Sequence, residues 1–565
     1  MQTNALRRTL SRCLFVLIPL SVWGCGLSGE VVSDVTPPSL SVTVNNNESS
    51  TTTGIVTVDI VAEDDVSVAA YFISESAEAA SANSAEWVSV DPAKGYTGTA
   101  SFNLSSGYGN KTVYVWTMDA SGNVSAPASA GIEYSFVESG EGRPNVIFIV
   151  VDTLRADHLS TYGYERDTSP YISAFAGSAV RFTQAISPAP WTLPAYTSIL
   201  TGKHAFHHAL NQPTLTGTPV GPLPKLLMDE GYKAVSIQTN YYLQNLDQAF
   251  KERYHYFDPE EICGSDPDCD WEHTGVQDPA AISRAIKWLN VPDNVDESFF
   301  MFIGLINPHL DYKTGNGYLE EFVNDSVFTS APALSFSLSS SLTYLITYAD
   351  LSSEVQSCVG APESDVGYYQ DSRLYIAAYD SEIKHTDYYI GLLVSTLKSL
   401  GLYDGSIIII TADHGENLDD FSPPFSHGNN LNNTLIHVPL LIKFPGQTEG
   451  LDVDSYVRTI DILPTVLDYA GLAPPDDVDG RSLIPVVNNT VTDAGDRPVL
   501  SYREDILSGD EGKYVSIIKD GFKLIKKGDG TYVLYNLELD PEEKYKITDP
   551  DRAKPLFDYL HLYYK

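Results

Sequence analysis

An α/β domain preceded by a smaller all-β module is the organisation this sequence predicts, on three observations. The segment from about 36 to 136 is rich in Ser, Thr, Val and Ala, and it alternates apolar and polar residues in Thr57-Val-Asp-Ile-Val-Ala62 and Thr112-Val-Tyr-Val-Trp-Thr117, the period of short antiparallel strands. A Gly- and Glu-rich stretch, Glu138-Ser-Gly-Glu-Gly-Arg143, then interrupts the chain as a linker spanning about 137–143. Beyond it, near-continuous apolar runs such as Val146-Ile-Phe-Ile-Val-Val151 and Ser406-Ile-Ile-Ile-Ile-Thr411 alternate with amphipathic stretches, the texture of strands covered on both faces by helices. At 565 residues, with a hydrophobic fraction of 43%, the chain is long and apolar enough for two cores.

Residues 1–25 are expected to be an export signal. Arg7, Arg8 and Arg12 precede the apolar run Leu14-Phe-Val-Leu-Ile-Pro-Leu20, which is too short to span a bilayer and too apolar for a surface loop. The run ends in Val22-Trp23-Gly24-Cys25, similar to the lipobox cut by lipoprotein signal peptidase. The reading is therefore an exported, membrane-anchored lipoprotein, periplasmic or on the cell surface, with its lipid on Cys25; ordinary signal cleavage is the alternative, because Trp23 is unusual in such a box.

Within the all-β segment, Val113-Tyr-Val-Trp-Thr-Met-Asp-Ala-Ser-Gly-Asn-Val124 resembles the last strands of bacterial Ig-like modules, with Trp116 in the core and Asp119 to Asn123 as the turn. An Ig-like β-sandwich over 36–136 follows as the expectation, acting as a spacer or adhesion module. Of the remaining cysteines, Cys263 and Cys269 close a short acidic loop and are expected to pair, leaving Cys358 free; a zinc site is the alternative, but no His lies at ligand spacing around the pair. The net charge of −39 argues against nucleic-acid binding, which needs a basic footprint, and an anionic substrate must be held by local charge.

The chemistry-bearing residues sit where the apolar runs end. Asp152 follows the first run and Asp413-His414 the second, so two carboxylates and an imidazole leave the carboxyl ends of buried strands, the place where open α/β sheets bind ligands. One such Asp is often only a helix cap, but three ligand-type residues on two strands point to a metal site.

The resemblance to a known family is carried by ordered motifs. Pro144-Asn-Val-Ile-Phe-Ile-Val-Val-Asp-Thr-Leu-Arg-Ala-Asp-His-Leu159, followed by Tyr162-Gly163 and Thr168-Ser-Pro170, looks like the opening of a sulfatase. Tyr379-Asp-Ser-Glu-Ile383, Asp387, Ile390-Gly391 and Ile410-Thr-Ala-Asp-His-Gly-Glu416 resemble its later signature. Asp461-Ile-Leu-Pro-Thr465, Asp479-Gly-Arg-Ser-Leu483 and Leu534-Tyr-Asn-Leu-Glu-Leu-Asp-Pro541 resemble its C-terminal subdomain. The resemblance covers 144–565 and implies an alkaline-phosphatase-like fold: a central mixed sheet flanked by helices, with a small C-terminal subdomain.

The family's nucleophile lies in Cys-x-Pro-x-Arg or Ser-x-Pro-x-Arg, where Cys or Ser becomes formylglycine. Here the matching segment is Thr192-Leu-Pro-Ala-Tyr196, so Thr stands at the nucleophile position and Tyr replaces the Arg. No formylglycine arises from Thr192, yet its hydroxyl can act directly where a metal and a helix N-terminus favour the alkoxide; a plain N-cap is the competing role. The set Asp152, Thr192, Asp413 and His414 is also similar to that of Thr-dependent phosphoryl transferases of the same superfamily, such as phosphoethanolamine transferases and lipoteichoic-acid synthase. Asn307-Pro-His309 resembles the family's Pro-His element, and Ser426-His-Gly428 a site that often carries Lys or His, so His309 and His427 join Thr192 as catalytic candidates, an isolated surface His being the bland alternative for each. Lys203, just past the presumed nucleophile helix, is either a substrate-binding cation or only a salt-bridge residue. The family's Gly-Lys-Trp-His element is not evident, since Gln238-Thr-Asn240 holds neither Lys nor His.

The expected cofactor is one divalent metal ion, calcium, manganese or zinc, with the nitrogen of His414 suiting manganese or zinc better. Three functions remain open on the sequence. The first is hydrolysis of sulfate esters, small or glycan-borne. The second is a phosphodiester or phosphonate hydrolase, or a phosphoryl transferase, using Thr192 directly. The third is a catalytically inactive glycan-binding surface protein.

Overall fold

The computed structural model describes residues 34–78, 81–82, 84–105, 109–135, 143–208, 222–240, 255–256, 277–312, 315–330, 346–360, 368–489, 498–504 and 512–564. The expected export signal with Cys25, most of the linker, and the Cys263–Cys269 loop lie outside these residues. Cys358 is a free, exposed thiol.

The chain divides into two compact units. The N-terminal unit is all-β and holds β1 (Ser39–Val44), β3 (Ile55–Ser74), β4 (Val88–Asn103) and most of β5 (Gly109–Asp119) and β6 (Ala128–Tyr134), while β2 (Ser50–Thr51) is counted with the other unit. The hydrogen-bonded order is β1-β3-β5-β6-β2, with β4 also paired to β3. Val56, Val58, Ile60 and Ala62 of β3 are all buried while Thr57, Asp59 and Val61 are not, the alternation of a strand with one covered face. Trp116 is buried as the sequence suggests, and Asp119 closes the following turn by accepting from the Ser121 and Asn123 N–H groups.

The larger unit is organised on an eight-stranded mixed sheet. Its strands are β7 (Asn145–Val151), β8 (Val180–Ile186), β9 (Lys233–Gln238), β10 (His255–Tyr256), β11 (Phe299–Leu305), β12 (Ser406–Ala412), β13 (His437–Lys443) and β14 (Leu451–Arg458), in the order β10-β9-β11-β7-β12-β13-β8-β14. The strands from β10 to β12 run parallel, and β13 is antiparallel to both its neighbours. Every residue of β11 and β12 is buried, as is Val146–Val151 of β7, which is why these stretches read as unbroken apolar runs. Burial of one such Val or Ile side chain stabilises the fold by about 1.5–3 kcal/mol.

Helices cover the sheet, among them Gln277–Leu289 and the 28-residue Ser372–Ser399, which pack together. A small C-terminal sheet of β15 (Val499–Glu504), β16 (Lys513–Lys519), β17 (Phe522–Lys527) and β18 (Tyr532–Asn536) is antiparallel throughout and is followed by the helix Pro550–Tyr563. This is the mixed α/β architecture expected from the alternating texture.

Candidate functional site

Strands β11, β7 and β12 lie side by side, with Val151 opposite Leu305 on one flank and Ala412 on the other. Their carboxyl ends are therefore level, and Asp152, the Ile306–His309 segment and Asp413-His414 leave the sheet together. Thr153 turns the chain at φ 56°, a left-handed conformation that a β-branched residue takes only at a cost of about 1–3 kcal/mol. That turn points the Thr153 N–H at Asp413 Oδ1, 3.3 Å away.

Asp152, Asp413 and His414 are fully buried. The Asp413 Oδ1 atom accepts from the His414 N–H at 2.8 Å as well as from Thr153, but its Oδ2 has no donor. Asp152 Oδ2 accepts from the Asn240 side-chain amide, and its Oδ1 likewise has no donor. His414 Nδ1 lies 2.8 Å from the Gly415 carbonyl oxygen, which only accepts, so Nδ1 carries the hydrogen and Nε2 is left with a lone pair. That Nε2 stands 3.4 Å from both orphaned oxygens, Asp152 Oδ1 and Asp413 Oδ2. Three acceptors facing one another in a dry site are reconciled by a cation, and all three ligand atoms lie within 4.8 Å of each other. The protonation equilibria carry the same tension. Burial, then repulsion from Asp413 and Glu416, pushes the Asp152 carboxyl far up; burial pushes Asp413 up to about 7; burial, then His427, drives His414 well down.

Thr192 joins this group. The helix Thr192–Thr201 is capped by Trp191 in an extended conformation, which makes Thr192 the first helical residue and frees its side chain from the capping role. Its Oγ1 lies 3.3 Å from His414 Nε2, with Pro194 in the first turn where no N–H is required.

Two more histidines complete the cluster. The His427 ring centre is 4.7 Å from that of His414 and 4.9 Å from that of His309. Behind His427, the fully buried Glu416 places Oε1 3.3 Å from Nδ1. Burial pulls the His427 pKa down, but the Glu416 carboxylate outweighs it and the net shift is upward. His309 is placed differently: its Nδ1 donates to the Leu310 carbonyl oxygen at 2.5 Å, and burial, followed by repulsion from His427, holds it at about 4. Of the two, His427 is the one equipped with an anion.

Lys203 is the expectation that geometry corrects. It lies beyond the far end of the helix that Thr192 begins, and ten residues at 1.5 Å each separate the two ends by about 15 Å. Its ammonium pairs with Asp477, so it is a salt-bridge residue and contributes no cation to the cluster. Tyr196, where the family pattern has Arg, is fully buried in the core, its hydroxyl 3.5 Å from the Val150 carbonyl oxygen.

Several residues inside the quoted motifs prove to be supports. Arg155 is buried and donates to the Glu416 carbonyl oxygen at 3.1 Å and to Asp420 at 2.6 Å. The Tyr379 hydroxyl donates to the Thr153 carbonyl and accepts from the Arg155 N–H, fixing the strained turn after Asp152. Gly415 lies so close to the Thr434 carbonyl oxygen that a Cβ there would sit 2.1 Å from it, so only glycine lets the loop that carries His414 dock. Asn240 and Glu416 escaped the sequence reading as site residues. Glu416 stood inside a quoted motif, while Asn240 is 88 residues from the Asp152 it contacts and carried no local signal.

Comparison with known proteins follows the same lines. The family model described as Sulfatase matches residues 144–472, and one described as N-sulphoglucosamine sulphohydrolase, C-terminal, matches 430–563. An ulvan-active sulfatase of Formosa agariphila is 26% identical over 431 residues, 74% of this chain and 79% of its own length. Among solved structures, the phosphonate monoester hydrolase of Agrobacterium radiobacter aligns with a TM-score of 0.58 at 20% identity, covering 74% of this chain and 94% of that one. A protein solved in complex with its substrate D-glucosamine-2-N,6-O-disulfate aligns equally well, at 21% identity over 74% and 96% of the two chains. At these identities the structural matches speak for the fold.

Proposed function

Because this chain belongs to the sulfatase family, whose model spans more than half of it, we propose that it is an exported, metal-dependent hydrolase that cleaves sulfate esters or related phosphate esters with Thr192 in place of formylglycine. The observation that carries the reading is the convergence of Asp152 Oδ1 and Asp413 Oδ2, neither with a hydrogen-bond donor, on His414 Nε2 beside the Thr192 hydroxyl. Asp152, Asp413 and His414 would hold one divalent ion, with manganese or zinc favoured by the imidazole; when bound it supplies charge neutralisation and favours ionisation of a neighbouring hydroxyl.

The residues then divide the work. Thr192 Oγ1, at the positive end of its helix and ionised with its proton passed to solvent, attacks sulfur or phosphorus; the bond to the alcohol oxygen breaks as the new bond to Thr192 forms. His427, backed by Glu416, gives its proton to the departing alcohol, and the neutral His309 orients the ester oxygens through the nitrogen not bonded to Leu310. Water next gives one proton back to His427 and attacks the same sulfur or phosphorus through its oxygen, the bond to Thr192 breaks to return the ionised Oγ1, and the water's other proton leaves on the released sulfate or phosphate. The substrate is a small or saccharide-borne anionic ester, the class to which the named substrates of the matched proteins belong.

A second reading, phosphonate or phosphodiester hydrolysis or phosphoryl transfer, is favoured by one observation: Tyr196 lies in the core where the family pattern has a cationic anion-holder. Rates of the metal-loaded protein on nitrophenyl sulfate, nitrophenyl phosphate, bis-nitrophenyl phosphate and a phosphonate monoester separate the two readings. Sulfate fastest supports the first, phosphonate or diester fastest the second, and no turnover on any of the four returns the inactive glycan-binding protein. The N-terminal unit is read as an Ig-like spacer or adhesion module, with a lipid anchor on Cys25.

A further inference from the structure

We propose that Asp34, Asp64 and Asp119 of the N-terminal unit form a calcium site that ties the segment leading into β1 to the bend of β3 and the end of β5. The three residues come from separate parts of the unit. Asp34 precedes β1, Asp64 sits where the pairing of β3 with β4 shifts register between Glu63 and Val68, and Asp119 ends β5. One carboxylate oxygen from each lies within 4.8 Å of the other two.

The hydrogen bonding of these acids leaves a specific gap. Asp64 is 9% exposed; its Oδ1 accepts from the Val66 and Ser67 N–H groups at 2.8 Å each, whereas its Oδ2 is buried with no donor. Asp34 repeats the pattern, Oδ1 accepting from the Thr36 N–H at 3.0 Å and Oδ2 buried without a donor. Asp119 accepts from the Ser121 and Asn123 N–H groups and, at Oδ2, from the Asn123 amide, which also donates to the Asp34 carbonyl oxygen. Among the described residues every donor to these carboxylates is thus neutral, and three negative charges meet with two buried oxygens left bare. A buried anionic oxygen is kept in a native fold when a partner meets it, and here the missing partner is a cation.

The chemistry of the donors selects the ion. All three are carboxylate oxygens, which suits a hard cation. They come from a turn, a strand bend and a pre-strand segment, which tolerate the larger and less regular shell of calcium better than the strict octahedron of magnesium. Calcium modules of this open kind bind at about 0.1–1 mM.

The test uses the full chain carrying Asp413→Ala, so that the catalytic group no longer takes up metal, titrated with terbium chloride and then with calcium chloride. Trp116, three residues before Asp119 on β5, sensitises the terbium emission. The expected result is saturable emission that calcium displaces, weakened at least tenfold by Asp34→Asn and by Asp64→Asn. Should Asp64→Asn disturb the bend of β3 and fail to fold, Asp34→Asn decides alone. In the chain with Asp413 intact, Asp34→Asn is expected to lose one calcium equivalent and to keep its turnover within twofold. No displaceable emission from the Asp413→Ala chain, or emission unchanged by Asp34→Asn, overturns the proposal.

Discussion

Replacing Thr192 by Val separates the proposed nucleophilic role from a structural one. The side chain is 3% exposed, and its hydroxyl meets His414 Nε2 at 3.3 Å without capping the helix, whose N-cap position is held by Trp191. A neutral hydrogen bond contributes about 0.5–1.5 kcal/mol, and one of this length belongs at the lower end. Val preserves the shape, so the expected loss of stability is about 1 kcal/mol or less, whereas loss of a true N-cap costs up to about 2 kcal/mol. Turnover, in contrast, should fall by about 10³-fold or more, because the hydroxyl beside His414 Nε2 is gone. Thr192→Ser keeps the oxygen and gives up about one methyl, so it should retain measurable turnover with a loss near 1 kcal/mol. Urea melts and kcat on the preferred nitrophenyl ester supply both numbers. A valine variant with a tenth or more of the native kcat, or one that loses activity only because it has lost several kcal/mol of stability, refutes the reasoning.

Removal of metal by a chelator should abolish turnover and lower the melting temperature, since Asp152 and Asp413 are then left facing one another; Asp413→Asn should weaken metal binding in calorimetry by at least tenfold yet make the metal-free protein more stable than the metal-free native chain, and a less stable variant contradicts this. Lys523 and Glu543 form a fully buried pair at 2.7 Å, so Lys523→Met should cost about 3–5 kcal/mol in urea melts and adding Glu543→Leu should recover most of it; a double variant as unstable as the single one rules out charge pairing as the cause. Asp278 accepts from the Ile306 and Asn307 N–H groups that begin the His309 segment, and burial, opposed by these donors, pushes its carboxyl up to about 6. With the folded pKa above the unfolded 3.8, the folded protein holds this proton more tightly, so the group's stabilising contribution is complete below pH 3.8 and is lost as pH climbs through 6, a change of about 3 kcal/mol at most. Asp278→Asn should flatten stability between pH 4 and 6, and melts showing an unaltered slope contradict the assignment.

The strands of the active-site sheet were legible because they are buried on both faces and leave unbroken apolar runs, and the acids at their ends were legible because a polar residue abruptly ends each run. The level ends of β7, β11 and β12, which bring those acids together, depend on register, and register is written in pairings between distant segments. His427 was visible as a motif neighbour, but its advantage over His309 rests on Glu416, a contact across a loop that spacing does not reveal. Lys203 left two roles open in the sequence, substrate cation or salt-bridge residue, because proximity to Thr192 hides the length of a ten-residue helix; its pairing with Asp477 favours the second. Alternation in β3 exposed the one-sided burial of the N-terminal unit, while the convergence of Asp34, Asp64 and Asp119 appeared only once its strands were paired.

The most direct test of Thr192 as nucleophile is rapid quenching of the metal-loaded protein during turnover, followed by mass measurement of the peptide that contains residues 192–202. Double displacement requires a transient gain of about 80 Da, one sulfonyl or phosphoryl group, on Thr192. Full turnover with that peptide unmodified at every time point, and with the group found on another residue or on none, contradicts it.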